Sequence, residues 1–151
     1  MINKSKLQGV SLIEILVAVV ILLVILAVVL TSFSTLRNRQ SLQSATTEII
    51  SVLKKANSQT LASIDSSTYG VHFSTNALII FKGSSYPSGT DETINIALPA
   101  YISNISLSGG GNDVYFSRLT GVPNKTGTIT VAVPNATKTI TIGATGIISV
   151  N

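Results

Sequence analysis

The sequence predicts an α+β protein. One long N-terminal helix, its first half apolar enough to cross a membrane, packs on a C-terminal antiparallel β domain. Three observations predict this. An unbroken apolar run covers Ile15 to Leu30, and apolar residues then recur at three- and four-residue steps from Leu42 to Ala56. From Tyr69 onward the period changes to two, with turn residues between the runs.

The apolar segment comes first. As a helix, Val10 to Leu30 is about 31 Å long, which matches a hydrocarbon core of about 30 Å. Gly and Pro are both absent from Val10 to Tyr69. Val and Ile are only fair helix formers, but in lipid the backbone must bond to itself, so helix is the outcome. A secretory signal would have a shorter apolar run ending at a small-x-small cleavage site, and none follows Leu30. Lys4 and Lys6 precede the run and hold the N-terminus in the cytoplasm. Arg37 and Arg39 flank its other end, so the charge asymmetry is weak.

A plain anchor leaves Glu14 unexplained. A carboxylate within a spanning helix costs about 2.5–3.5 kcal/mol at the bilayer centre and less near the edge, where Glu14 lies. Such an acid marks a functional site with a partner to be named. A cut after Gly9 would supply one: the new α-amino group of Val10, one turn from Glu14 or on a neighbouring molecule.

The basic leader with Lys4 and Lys6, then Gly9, then V-S-L-I-E-I-L-V-A-V-V-I-L-L, resembles the class III signal of type IV prepilins and type II secretion pseudopilins. That resemblance implies that a membrane prepilin peptidase cuts after Gly9 and methylates the new N-terminus at Val10. It implies that Glu14 sets the register between neighbouring helices. The partners implied are the prepilin peptidase, other pilin or pseudopilin subunits, the inner-membrane assembly platform and membrane lipid. Val10 departs from the phenylalanine most often found at that position.

Beyond Leu30 the helix turns amphipathic. Leu42, Ala45, Ile49, Leu53 and Ala56 form a stripe, with Ile50 and Leu61 beside it and Glu48, Lys54 and Lys55 pointing elsewhere. One helix of about fifty residues ending near Ser63 is the simplest reading. Thr31-Ser32-Phe33-Ser34 is a point at which it would loosen.

Strands are expected at Tyr69–Phe73, Ala77–Lys82, Thr93–Leu98, Ile102–Ser106, Val114–Ser117, Thr128–Val133, Lys138–Ile142 and Ile147–Val150. No helical pattern interrupts them, so the sheets should be antiparallel. The runs around Pro134-Asn135-Ala136 read as a hairpin with Val and Ile inward and Thr outward. The expected organisation is a leader over 1–9, a membrane or filament-core helix over 10–30, the amphipathic half of the same helix over 31–63, and a β head over 64–151.

The head, with the F-S-x-x-x-G element from Phe116 to Gly121, resembles the H-type minor pseudopilins of type II secretion and the related T-type fimbrial subunits. These place a long helix on two β-sheets. Some of them bind DNA through an arginine-bearing motif at the last turn and strand. The corresponding stretch here, Gly146-Ile147-Ile148-Ser149, has no arginine, so nucleic acid is not an expected partner.

Composition limits other functions. The net charge of the 151-residue chain is +4, and it falls to +2 without Lys4 and Lys6, too small to argue for nucleic acid. No cysteine is present, which excludes disulfides and thiolate metal sites. His72 has no Cys or acidic cluster near it in sequence and reads as a half-buried or surface histidine. Asp91, Glu92 and Asp113 read as solvated carboxylates, because they lack the spacing of a Ca²⁺ loop. Gly109-Gly110-Gly111 is a turn, since no Lys-Ser/Thr opens a helix after it. The expectation is a structural subunit, not an enzyme, with no cofactor and no metal. It would sit in the inner membrane with its N-terminus cytoplasmic, and then in a filament. The rival readings are a singly anchored surface-binding protein and a DNA-binding minor pilin.

Overall fold

A computed structural model describes residues 10–89 and 91–151. Lys4, Lys6 and Gly9 lie outside the described residues. Those described form a helix α1 (Leu12–Leu61), a short 3-10 turn (Ile64–Ser66) and eight strands. They fall into two compact units, parted between Leu36 and Arg37.

In the first unit α1 carries no buried side chain among the residues whose exposure is described. Leu12 is 81% exposed, and even Val29, the most covered of the large apolar side chains described in this unit, is 44% exposed. Helix here is not stabilised by packing within the chain. The loosening expected at Thr31 to Ser34 does not break the helix, which is continuous there. Hydroxyl side chains compete for the backbone of a helix without having to end it.

In the second unit, α1 from Arg37 onward presents a buried stripe. Leu42, Ala45, Ile49, Leu53 and Ala56 are all buried, as the periodicity predicts. Val52 joins them, together with two hydroxyls, Thr46 and Thr60. Both hydroxyls are satisfied: Thr46 Oγ1 donates to the Leu42 carbonyl and Thr60 Oγ1 to the Ala56 carbonyl. Thr60 Oγ1 also accepts the backbone N–H of Tyr69 at 2.9 Å, so it joins the last turn of the helix to the first strand. The helix stops at Leu61, near the expected Ser63, because Ser63 and Asp65 turn left-handed at φ 52° and 50°.

The strands are β1 (Tyr69–Phe73), β2 (Ala77–Lys82), β3 (Glu92–Asn95), β4 (Tyr101–Leu107), β5 (Asp113–Tyr115), β6 (Gly127–Val133), β7 (Ala136–Ile142) and β8 (Ile148–Val150). Every expected strand is present, and every pairing is antiparallel. One sheet runs β3-β2-β1-β5 and the other β4-β6-β7-β8.

The boundary of β3 is a correction. The run to Leu98 leaves the ladder after Asn95, and the Ile96 N–H turns to the Asn76 carbonyl. Pro99 has no N–H to continue a ladder. Ile96 and Ala100 plug the core, while the Ala97–Leu98 corner between them is exposed.

The β6–β7 hairpin closes as expected through Pro134-Asn135, with Val133 opposite Ala136. Asn135 takes φ 71°, a conformation asparagine tolerates. Ile129, Val131, Ile140 and Ile142 face inward and are buried, while the intervening threonines are not. One core cluster joins the helix stripe to Val71, Phe73, Leu78, Ile80 and Val114 of the first sheet and to the inward residues of the second.

The outer face of the first sheet has its own small cover. Phe81 is fully buried yet lies outside that core cluster. It sits opposite Gly70, where an added Cβ would come within 2.4 Å of the Phe81 ring and 2.7 Å of the Val114 carbonyl. Tyr86, from the loop after β2, closes over Phe81 with ring centroids 5.9 Å apart.

Candidate functional site

The N-terminal feature is built on the first turn of α1. Val10 and Ser11 precede the helix, and the Ser11 carbonyl accepts the N–H of Glu14 at 3.0 Å and of Ile15 at 3.3 Å. Ser11 therefore stands at the N-cap and Glu14 at the third helical position. Ser-x-x-Glu is the spacing of a capping box, a local signal that can be read from sequence. It gives Glu14 a local place at the start of the helix. A carboxylate there lies against the positive end of the helix dipole, which is worth about 0.3–1 kcal/mol at an exposed site. Val10 is 67% exposed and Glu14 is also exposed, so both are open to a partner outside the chain.

The helix that follows is long and apolar enough to cross a membrane. Val19, Val20, Ile21 and Leu22 are consecutive and are 51%, 51%, 54% and 63% exposed, and they stand about 100° apart around the helix, so the apolar surface wraps the whole circumference. A helix of this kind is covered by lipid or by other helices.

In the head, the F-S-x-x-x-G element is a structural closure. Phe116 is fully buried, and its partner across an isolated bridge is Pro123. Between them the Ser117 N–H donates to Val122 and the Gly121 N–H to Ser117. Gly121 takes φ 67°, and its carbonyl accepts Asn57 Nδ2 at 2.8 Å. Arg118 donates to the Ser66 carbonyl at 2.9 Å. The loop is thereby tied to α1 at Asn57 and to the 3-10 turn after it at Ser66. The Gly146–Ser149 stretch begins beside it, because the Gly146 α-carbon faces the Gly121 carbonyl and Asn57. Ile147 is 68% exposed there, and the stretch presents apolar surface, not cationic surface.

His72 is half-buried on the outer face of the first sheet, with Tyr86 stacked on its ring at 4.1 Å. Burial lowers its pKa, against a smaller opposing pull from Asp113 across the ladder. The carboxylates expected to be solvated are paired. Asp113 meets Lys125 at 3.4 Å, Glu92 meets Lys55 at 2.8 Å, and Asp91 accepts from Ser88. Asp65 meets Lys82 at 3.1 Å, and that lysine holds its carboxyl below the ordinary value. Among the described residues no group of three or more His, Cys, Asp or Glu side chains is placed to hold a metal.

No curated protein and no solved structure matches the chain at a significant level. A family model does match at the N-terminus, over the basic leader, Gly9, Val10, Glu14 and the apolar run. Residues 4–30 carry the prokaryotic N-terminal methylation motif.

Proposed function

We propose that the chain is a structural pilin-like subunit, made as a membrane precursor, cut after Gly9 by prepilin peptidase and methylated on Val10. It then assembles with other pilin or pseudopilin subunits into a type IV pilus or a type II secretion pseudopilus, on an inner-membrane platform. We read it as a minor subunit of the H or T type, on the resemblance of its Phe116–Gly121 element. The observation that carries this reading is the methylation motif joined directly to a helix with no buried side chain among those described before Arg37.

The chemistry supports the order of events. Before cleavage, Lys4 and Lys6 keep the leader cytoplasmic and the apolar helix holds the subunit in the bilayer with its head outside. Cleavage leaves a cationic amine at the positive end of the helix dipole, where cations are disfavoured. The Glu14 carboxylate of a neighbouring helix can offset that charge. In a packed bundle an unpaired buried charge costs about 3–5 kcal/mol, so only the register that pairs amine with acid is tolerated.

Mass analysis of the mature N-terminus tests the first step. In cells with active prepilin peptidase the chain should begin at Val10 and be one methyl heavier than the bare peptide, and Gly9→Leu should retain Met1. An intact Met1 in the unaltered chain would overturn the reading in favour of a simple anchored surface protein. For the second step, Glu14→Leu should be processed normally yet fail to enter filaments.

A further inference from the structure

We propose that the head carries a binding site for a neutral saccharide. The site is a cleft between the end of β1 and the first half of β4, lined mainly by side-chain hydroxyls and amides. It lies wholly within the second unit.

The cleft has a volume of about 300 Å³. Ligand pockets run from about 300 to 1,000 Å³, so this one suits a small unit of a ligand and leaves the rest outside. Ser74 and Thr75 come from the turn after β1, Ser103 and Asn104 from β4, and Asn112 from the position before β5. Two backbone hydrogen bonds fix these walls. The Ile102 N–H donates to the Thr75 carbonyl at 2.8 Å, and the Phe73 N–H donates to the Asn112 carbonyl at 2.7 Å. The walls are thus set before a ligand arrives, and binding does not have to order them.

The polar groups of the cleft are largely unengaged. Among the described residues, the side chains of Ser74, Thr75, Asn104 and Asn112 have no hydrogen-bond partner. All four are exposed, so water must serve them and a ligand can take its place. Ser103 Oγ donates to the Thr130 carbonyl at 3.2 Å and keeps its lone pairs. Hydroxyls and amides both donate and accept, which is what a row of sugar hydroxyls requires. His72 also lines the cleft, and its Nδ1 is buried with no hydrogen-bond partner among the described residues. A buried polar atom left in that state calls for a partner. A sugar hydroxyl can meet a ring nitrogen in either tautomer.

The same lining argues against other ligands. No Lys, Arg, Asp or Glu lines the cleft. Asp113, next to Asn112, is engaged by Lys125. A phosphate or a metal ion would therefore meet no opposite charge. An apolar ligand would cover the hydroxyls and amides without pairing them. A peptide added as a strand needs a straight row of free backbone groups along β4. That row is interrupted where the cleft lies. Ile102 gives its N–H to Thr75, and the register skips Ser103, with Ile102 opposite Val131 and Asn104 opposite Thr130. Irregularities of this kind blunt the edge of a sheet against pairing. Side chains, not backbone, are what the cleft offers.

The test is a titration of the full chain, isotope-labelled for NMR, in a phosphocholine detergent that itself carries no sugar. The probes are methyl glucoside, methyl galactoside, methyl mannoside and chitobiose, with an uncharged Ser/Thr-rich peptide as comparison. At least one sugar should shift the backbone amides of Ser74, Thr75, Asn104 and Asn112 together and to saturation. The amide of Thr145, in the turn before β8, should not move. Asn104→Ala and Asn112→Ala should each weaken binding by about tenfold, the size of a lost hydrogen bond or two. Both positions are exposed, so the melting temperature should stay where it is. Rising salt should leave the affinity unchanged, because no charged side chain lines the cleft. The absence of saturable shifts at the cleft with every sugar would overturn the inference. So would sugar binding that survives both substitutions together, or that weakens steeply with salt. Shifts along β4 with the peptide and with no sugar would replace the saccharide by an added strand.

Discussion

The two halves of α1 share a backbone and differ in what holds them. Before Leu36 the apolar residues cover the whole circumference and are exposed, so their partner lies outside the chain. After Arg37 they shrink to a stripe that the chain's own sheets cover. A stripe specifies one neighbour in one orientation, and an apolar surface on every side does not. The head can therefore be stable in water by itself, whereas the N-terminal half needs lipid or like helices. Under the proposed function, a subunit that leaves a membrane for a filament is served by that division, because no side chain described before Arg37 is buried within the chain.

Substitutions on either side of the boundary can break the comparison. Leu53→Ala should have the largest effect, destabilising the head by about 2–5 kcal/mol in denaturant unfolding, because Leu53 is fully buried in the core cluster. It should leave membrane insertion unchanged. Leu22→Lys is the reciprocal experiment. It should cost about 2.5–3.5 kcal/mol in an insertion assay while the unfolding midpoint of the head stays put. A head that lost stability with Leu22→Lys would show that the two halves are not independent.

Gly70→Ala should cost about 1–3 kcal/mol of head stability, since its methyl meets the Phe81 ring and the Val114 carbonyl. Pairing it with a smaller residue at Phe81 should recover part of the loss, and the absence of any recovery would place the strain in the backbone.

The smallest effect is on pH dependence. Burial holds His72 neutral in the folded head with its pKa below 6.5. The unfolded chain binds the proton more readily, so this contribution is complete above about pH 6.5 and is lost as pH falls through the folded pKa. His72→Gln should flatten the melting temperature between about pH 7 and pH 5, and an unchanged slope would remove His72 from the account.

Much of this division could be read before any coordinates. The Ile15–Leu30 run, the stripe from Leu42 to Ala56 and the eight strands all follow from periodicity, which depends on local geometry alone. Glu14 stood out because it is an exception within such a pattern, and Gly9 because it stands just before the apolar run in a stretch that resembles the prepilin signal. Less visible was Ser11, whose capping position depends on where the helix begins. Thr46 and Thr60 were hidden as well, because a hydroxyl in the core is tolerated only once a carbonyl or an N–H is placed to meet it. Leu98 looked like the end of a strand and is instead an exposed corner.

The sequence by itself determined the element types, their order and the motif at residues 4–30, because these rest on neighbours within a turn or a strand. Only the tertiary structure decided which strands pair. Its pairings put β5 beside β1, and they leave Phe81 on an outer face under Tyr86. They also turned the Phe116–Gly121 element into a clasp on Asn57 and brought Lys138 to Gln43 of the helix. Those contacts join residues far apart along the chain. Their existence depends on how whole surfaces fit together, and no local period encodes that.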